Sequence, residues 1–301
     1  MKIFGAIAAV AFTVAGTVHA AETIKITDVT GRQIDVKVPA EKLILGEGRL
    51  IYGLATLDSA DPFKRVVGWR DDLKKADPQG YGLYAAKYPA IDSLPTFGGI
   101  KDGTFDIEQA ISLNPDVVVM NLESKGATED ASLDKKLAAV GIPLIYIDFR
   151  ESPMKNTETS MRILGQLTGL QARAEEFIKF RADHIKLITD RLAKADPKKP
   201  DVFIERAAGY SDECCMSFGN ENFGKMVEFA GGKNIAADII PGTFGTINPE
   251  QVVASDPDQF VGTGGDWEAY APGMGWVPVG PGADMKEAKR KLIGLTERPA
   301  F

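Results

Sequence analysis

The two cysteines of the chain are neighbours, Cys214 and Cys215, in the stretch YSDECCMSFG (210–219). Such a pair can cycle as a redox couple, ligate a metal, close a disulfide, or pack as two small apolar side chains. Thiol oxidoreductases usually present Cys-x-x-Cys at a helix start, where one thiolate has a lowered pKa, and that spacing is absent. Across a trans peptide neighbouring Cα atoms stand about 3.8 Å apart, below the roughly 4.4–6.8 Å usual for a disulfide. A vicinal bond would therefore close a strained eight-membered ring. The ring, reduced packing thiols and direct metal ligation all remain open from the residues alone. Histidine is scarce: only His19 and His184 occur, too few for the multi-histidine sites of zinc or manganese carriers. Haem held by histidine is likewise not indicated, whereas one of the seven tyrosines could hold it. There is no Gly-x-Ser-x-Gly elbow, and Gly46-Glu-Gly-Arg49 is not a phosphate loop. Nothing here points to an enzyme.

The compartment is read from the first residues. Lys2, an apolar run from Ile3 to Val18, and small residues before Ala20–Ala21 form a cleavable secretory signal over 1–20. The run is shorter than the roughly 20 residues that span a bilayer, and no cysteine follows the cut, so the product is expected to be exported, soluble and periplasmic. The formal net charge is −7, and loss of Lys2 with the leader makes it one unit more negative. With no basic block, nucleic acid is not an expected partner. The length suits two domains.

These side chains must be positioned by an α/β framework. Residues 23–38 alternate apolar and polar positions around a Thr-Gly turn, which predicts a hairpin. The runs LIL (43–45), RVVGW (65–69), DVVVM (116–120) and PLIYIDF (143–149) predict parallel strands buried on both faces. From Gln171 to Lys194, apolar groups at 174, 177, 178, 185, 188 and 192 predict one long helix with one continuous buried face. A second α/β series begins with DVFIERAAG (201–209), continues through a helix near 221–230, and reaches a Gly-Gly cap at 231–232. DIEQAISLNPDVVV (106–119) and NPEQVVASDPDQFV (248–261) form a weak repeat. Each starts with a cap residue, Asp106 or Asn248, followed by Gln109 or Gln251 as in a capping box. Two similar lobes joined by one rigid helix follow from this pattern.

LPTFGG (94–99), FDIEQAISLNPDVVVM (105–120), AAVGIPLIYID (138–148), SMRILGQLTG (160–169), VEFAGGKNIAAD (227–238) and INPEQVVASDPD (247–258) occur in a specific order. In that order they resemble the periplasmic solute-binding proteins of the helical-backbone class, which feed ferric siderophores, haem or cobalamin to ABC importers. The resemblance implies two Rossmann-like lobes: an N-terminal lobe over 21–155, a connecting helical segment over 156–195, and a C-terminal lobe over 196–301. In the family further strands and helices follow a segment like the final RPAF, so the second lobe is expected to be incomplete. It also implies a monomeric carrier without catalytic residues or a resident metal or cofactor. Its expected ligand is an Fe(III)–siderophore complex, with haem or cobalamin as alternatives, and its partner an ABC permease dimer.

Ligand groups are expected at the carboxyl ends of strands facing the cleft between the lobes. In the first lobe these are the Gly46-Glu-Gly-Arg49 turn with Arg49, and Trp69, Arg70, Tyr81, Tyr84, Glu123 and Arg150. In the second they are Arg206, Tyr210, Glu213, Cys214, Cys215, Phe223, Trp267 and Tyr270. Arginine forks suit the anionic oxygens of a chelate, and aromatic faces suit its apolar parts. His184 is expected to be structural. Glu108 and Glu250 stand at the second position of their helices, where an acid gains about 0.3–1 kcal/mol from the helix dipole. The resemblance implies that they also dock onto permease arginines, one from each lobe.

Overall fold

The computed structural model describes residues 22–298; the signal segment lies outside the described residues. Its strands are β1 (Glu22–Thr27), β2 (Gln33–Val38), β3 (Leu43–Leu45), β4 (Val66–Arg70), β5 (Thr96–Phe97) and β6 (Val117–Asn121). They continue with β7 (Leu144–Ile147), β8 (Asp201–Glu205), β9 (Met216–Phe218), β10 (Lys233–Asn234), β11 (Phe244–Thr246) and β12 (Gln259–Gly262). β1 and β2 form the hairpin, with Glu22 opposite Val38. β3 to β7 make one parallel sheet in the order β5-β4-β3-β6-β7. Every residue of β3, β6 and β7 is buried, because helices cover both faces of a sheet built by crossover connections. The second sheet, β10-β8-β12, is also parallel, with the β9–β11 ribbon beside it.

The repeat is visible in three dimensions. Asp106 caps the helix Ile107–Ser112 by accepting from the Gln109 amide at 2.9 Å, and that helix precedes β6. Asn248 caps Pro249–Ser255, which precedes β12. The reciprocal capping box is complete only in the second copy, where Gln251 Oε1 accepts from the Asn248 amide at 3.2 Å.

The connecting helix Gln171–Ala195 has 25 residues, about 37 Å at 1.5 Å per residue. It packs on the helix Pro153–Thr168 and carries the chain to β8. Its buried face is shorter than the periodicity predicts. Ala174 and Ile178 are buried, but Ile188 is about half exposed, since the first lobe covers only the N-terminal half. At the far end Leu192 approaches Gly231, where a Cβ would stand 2.8 Å from its Cδ2. His184 is exposed and bonds the Phe180 carbonyl at 2.7 Å. No helix among the described residues is long and apolar enough to cross a membrane.

Candidate ligand-binding cleft

A cavity of about 620 Å³ opens between the two sheets, within the size range of small-molecule sites. Its polar wall is assembled from the carboxyl ends of the parallel strands. Glu47 and Arg49 follow β3, Asn121 ends β6, Arg150 lies just beyond β7, Arg206 follows β8, and Thr263 follows β12. Phe149, Phe177, Phe218, Phe223, Phe244 and Trp267 supply an aromatic lining.

The turn after β3 is tight because Gly48 lies against β4: a Cβ there would meet the Arg70 carbonyl at 2.5 Å. This close approach lets the Gly48 amide donate to Asp72 Oδ1 at 2.6 Å while Arg49 Nε donates to Oδ2 at 2.9 Å. The glycines of Gly46-Glu-Gly-Arg49 therefore serve packing and orientation. Asp148, fully buried, holds the turn that carries Arg150 by accepting from the amides of Arg150, Glu151 and Ser152 and from Asn156 Nδ2, all at 2.8–2.9 Å.

Glu47 is the centre of the first-lobe wall and is only 5% exposed. It pairs with Arg49, accepts from Arg150 Nη1 at 2.6 Å, and accepts from Asn121 Nδ2 at 2.6 Å. Arg150 Nε also meets Glu123 Oε2 at 3.1 Å, and Glu123 Oε1 meets Lys101 Nζ at 2.6 Å. Desolvation raises the pKa of Glu47, but Arg49, Arg150 and Asn121 outweigh it and hold the carboxyl below its usual range. Asp28 is also depressed: desolvation opposes ionisation, and bonds from Thr30 and Arg32 overcome it. Asp72 is shifted upward, first by burial and then by Glu47.

Depressed carboxyls contribute stability above their unfolded pKa values, and that stability is lost as pH falls through the folded ones. Asp72 has the opposite sign, its ionisation counting against the fold as pH rises through the carboxylate range. We expect denaturant midpoints to fall on acidification below the unfolded carboxylate pKa of about 4, and Glu47→Gln to flatten that acid limb. An unchanged limb in the variant would remove Glu47 from this account.

Arg49, Arg150, Arg206, Phe223 and Trp267 line the cavity. Glu123 is outside the lining and paired with Arg150. Tyr210 packs edge-on against Trp267 at 6.2 Å, and Tyr270 is tilted against the same indole, also at 6.2 Å. Several expected positions fall elsewhere. Trp69 is 2% exposed in the first-lobe core, packed edge-on against Phe63 at 5.5 Å. Arg70 is held by Asp102 at 2.8 Å. Tyr81 is buried with its hydroxyl on Asp92, and desolvation followed by that carboxylate pushes its pKa up to about 12. Tyr84 packs against Phe63 at 5.4 Å. These aromatics close one apolar face of the sheet, so the core takes them from the cleft.

Cys214 and Cys215 are joined by a disulfide, and the peptide bond between them is cis. Cys215 is buried in the second-lobe core, while Glu213 and Cys214 line a separate surface hollow with Asn248 and Pro249. The loop thus turns its sulfurs away from the cavity and leaves Tyr210 beside it. Among the described residues no group of three or more His, Cys, Asp or Glu could hold a metal ion. Tyr52, Asn121, Phe149, Phe177, Phe218 and Phe244 also line the cavity and were not among the expected positions. The strand-end rule alone finds Glu47 and Asn121.

A family profile described as periplasmic binding protein matches residues 73–287. The chain belongs to the periplasmic binding protein family. Among solved structures the binding protein is similar to the TroA-like periplasmic binding protein FepB from Veillonella parvula. The two are 31% identical, with a TM-score of 0.81 over 92% of this chain and 79% of that one. It is 25% identical over 183 residues to a cobalamin-binding protein of Halobacterium salinarum, covering 60% of this chain and 47% of the relative. It is 27% identical over 170 residues to the uncharacterized ABC transporter substrate-binding lipoprotein YvrC of Bacillus subtilis, covering 55% and 51%. The chain spans about half the length of these curated relatives. The two parallel sheets flanked by helices match the two-lobed TroA-like architecture.

Proposed function

We propose that the protein is the periplasmic, non-enzymatic binding component of an ABC importer, and that it captures an iron chelate of the ferric-siderophore type between its lobes. The observation that carries this reading is the cavity itself, whose lining combines arginines at strand ends with aromatic side chains. Guanidinium groups pair with anionic chelate oxygens, and aromatic faces cover the apolar remainder. The lobes over 21–155 and 196–301, joined through 156–195, close on the ligand. The similarity to a cobalamin-binding protein supports cobalamin as a second reading, with the same cavity and partner. Glu108 and Glu250, both exposed and without an ion pair among the described residues, would present one carboxylate per lobe to the permease.

Trp267 supplies the first test. It lines the cavity, whereas Trp69 is buried in the first-lobe core. Titration with a ferric chelate is expected to quench tryptophan emission saturably, and Trp267→Phe is expected to remove most of that quench. Equal quenching in the variant would place the ligand elsewhere.

A further inference from the structure

The three guanidinium groups at the cavity are not electrically equivalent. Arg49 is shared by Glu47 and Asp72, and Arg150 by Glu47 and Glu123, while Glu123 also holds Lys101. Two arginines and one lysine are thus matched by three carboxylates in one connected, neutral cluster. Arg206 stands outside it. Among the described residues no carboxylate lies within ion-pair distance of its guanidinium, which reaches Met216 Sδ at 3.9 Å and stacks over Phe244 at 4.4 Å. Burial, then the neighbouring Arg150, lower its pKa, so the site disfavours the charge that arginine keeps. Two buried atoms of lining residues, Asn121 Oδ1 and Trp267 Nε1, have no hydrogen-bond partner among the described residues. The Asn121 amide is oriented by Glu47, because an ionised carboxylate only accepts.

A half-buried cation without an anionic partner is unfavourable until something supplies one. We infer that the cleft selects a ligand with a single net negative charge on an otherwise apolar or aromatic body, its anionic group meeting Arg206. A neutral ligand leaves Arg206 unpaired. A triply anionic one brings two charges for which the neutral Glu47 cluster offers no free cation. The inference rests on the reading of the cleft as a metal-chelate site, and it makes Arg206 the residue that sets charge preference.

Three hexadentate ferric chelates separate the cases by calorimetry: a tris-hydroxamate (neutral), a bis-hydroxamate with one α-hydroxycarboxylate (singly anionic), and a tris-catecholate (triply anionic). The singly anionic complex is expected to bind about 10- to 100-fold tighter than either other. Arg206→Met is expected to equalise it with the neutral complex, and Arg206→Lys to keep the order. Glu47→Gln, which frees guanidinium charge, is expected to move the preference toward the tris-catecholate; circular dichroism checks that each variant is folded. Tightest wild-type binding of the tris-catecholate overturns the charge inference while leaving the chelate reading intact, and so does a preference that survives Arg206→Met. Binding of none of the three overturns the chelate reading and the inference with it.

Discussion

Reversing both Glu108 and Glu250 to arginine is expected to bring chelate uptake by whole cells down to background while affinity for the chelate changes less than about twofold. Both carboxylates are exposed on short helices outside the cavity lining. Their contribution to stability is the helix-dipole term of about 0.3–1 kcal/mol each, so the variant remains folded. A docking role predicts a steep transport defect, because two like-charged pairs would then oppose the permease arginines, and interfacial like charges cost several kcal/mol. Radiolabelled iron uptake alongside calorimetry distinguishes the possibilities. Lost affinity with residual uptake in proportion would move these residues from docking to ligand support.

The second large effect concerns Glu47. Glu47→Ala leaves Arg49, Arg150 and Asn121 Nδ2 around an emptied, buried position, and breaking a buried ion pair from one side costs about 3–5 kcal/mol. For a chain of this size each kcal/mol lowers the melting temperature by about 2–4 °C, so a drop near 10 °C is expected by calorimetric melting. Chelate affinity should fall as well, since Arg150 is oriented by Glu47 as much as by its own turn. Glu47→Gln, which retains an acceptor, is expected to lose less. A Glu47→Ala protein that melts with the wild type would show that the cluster is stabilised from elsewhere.

Much of the framework was legible because its signals are local. Apolar runs gave β3, β6 and β7, alternation gave the hairpin, and cap residues marked Asp106 and Asn248. The cleft was legible only in part. Arg49, Arg150 and Arg206 follow strand ends, and the strand-end rule finds them without knowing where neighbouring helices pack. Trp69 also sits near a strand end, but adjacent strand residues face opposite sides, and no local signal says that its side is the one the core covers. Tyr81 and Tyr84 are read correctly only when Phe63 is known to be their neighbour. The apolar positions 185, 188 and 192 have helical spacing, yet spacing does not reveal whether a lobe lies alongside. For Glu47 the turn was legible and the role was not. A glutamate between two glycines looks solvated until Arg49, Arg150 and Asn121, from three different strand ends, converge on it.

The central claim, that this cleft carries an iron chelate, is tested most directly by native mass spectrometry of the protein after incubation with supernatant from iron-starved cells. The account predicts one bound species per protein molecule that bears the iron isotope pattern and is lost or weakened in Arg206→Met. A protein that emerges without any bound species, or with one lacking the iron isotope pattern, would contradict it.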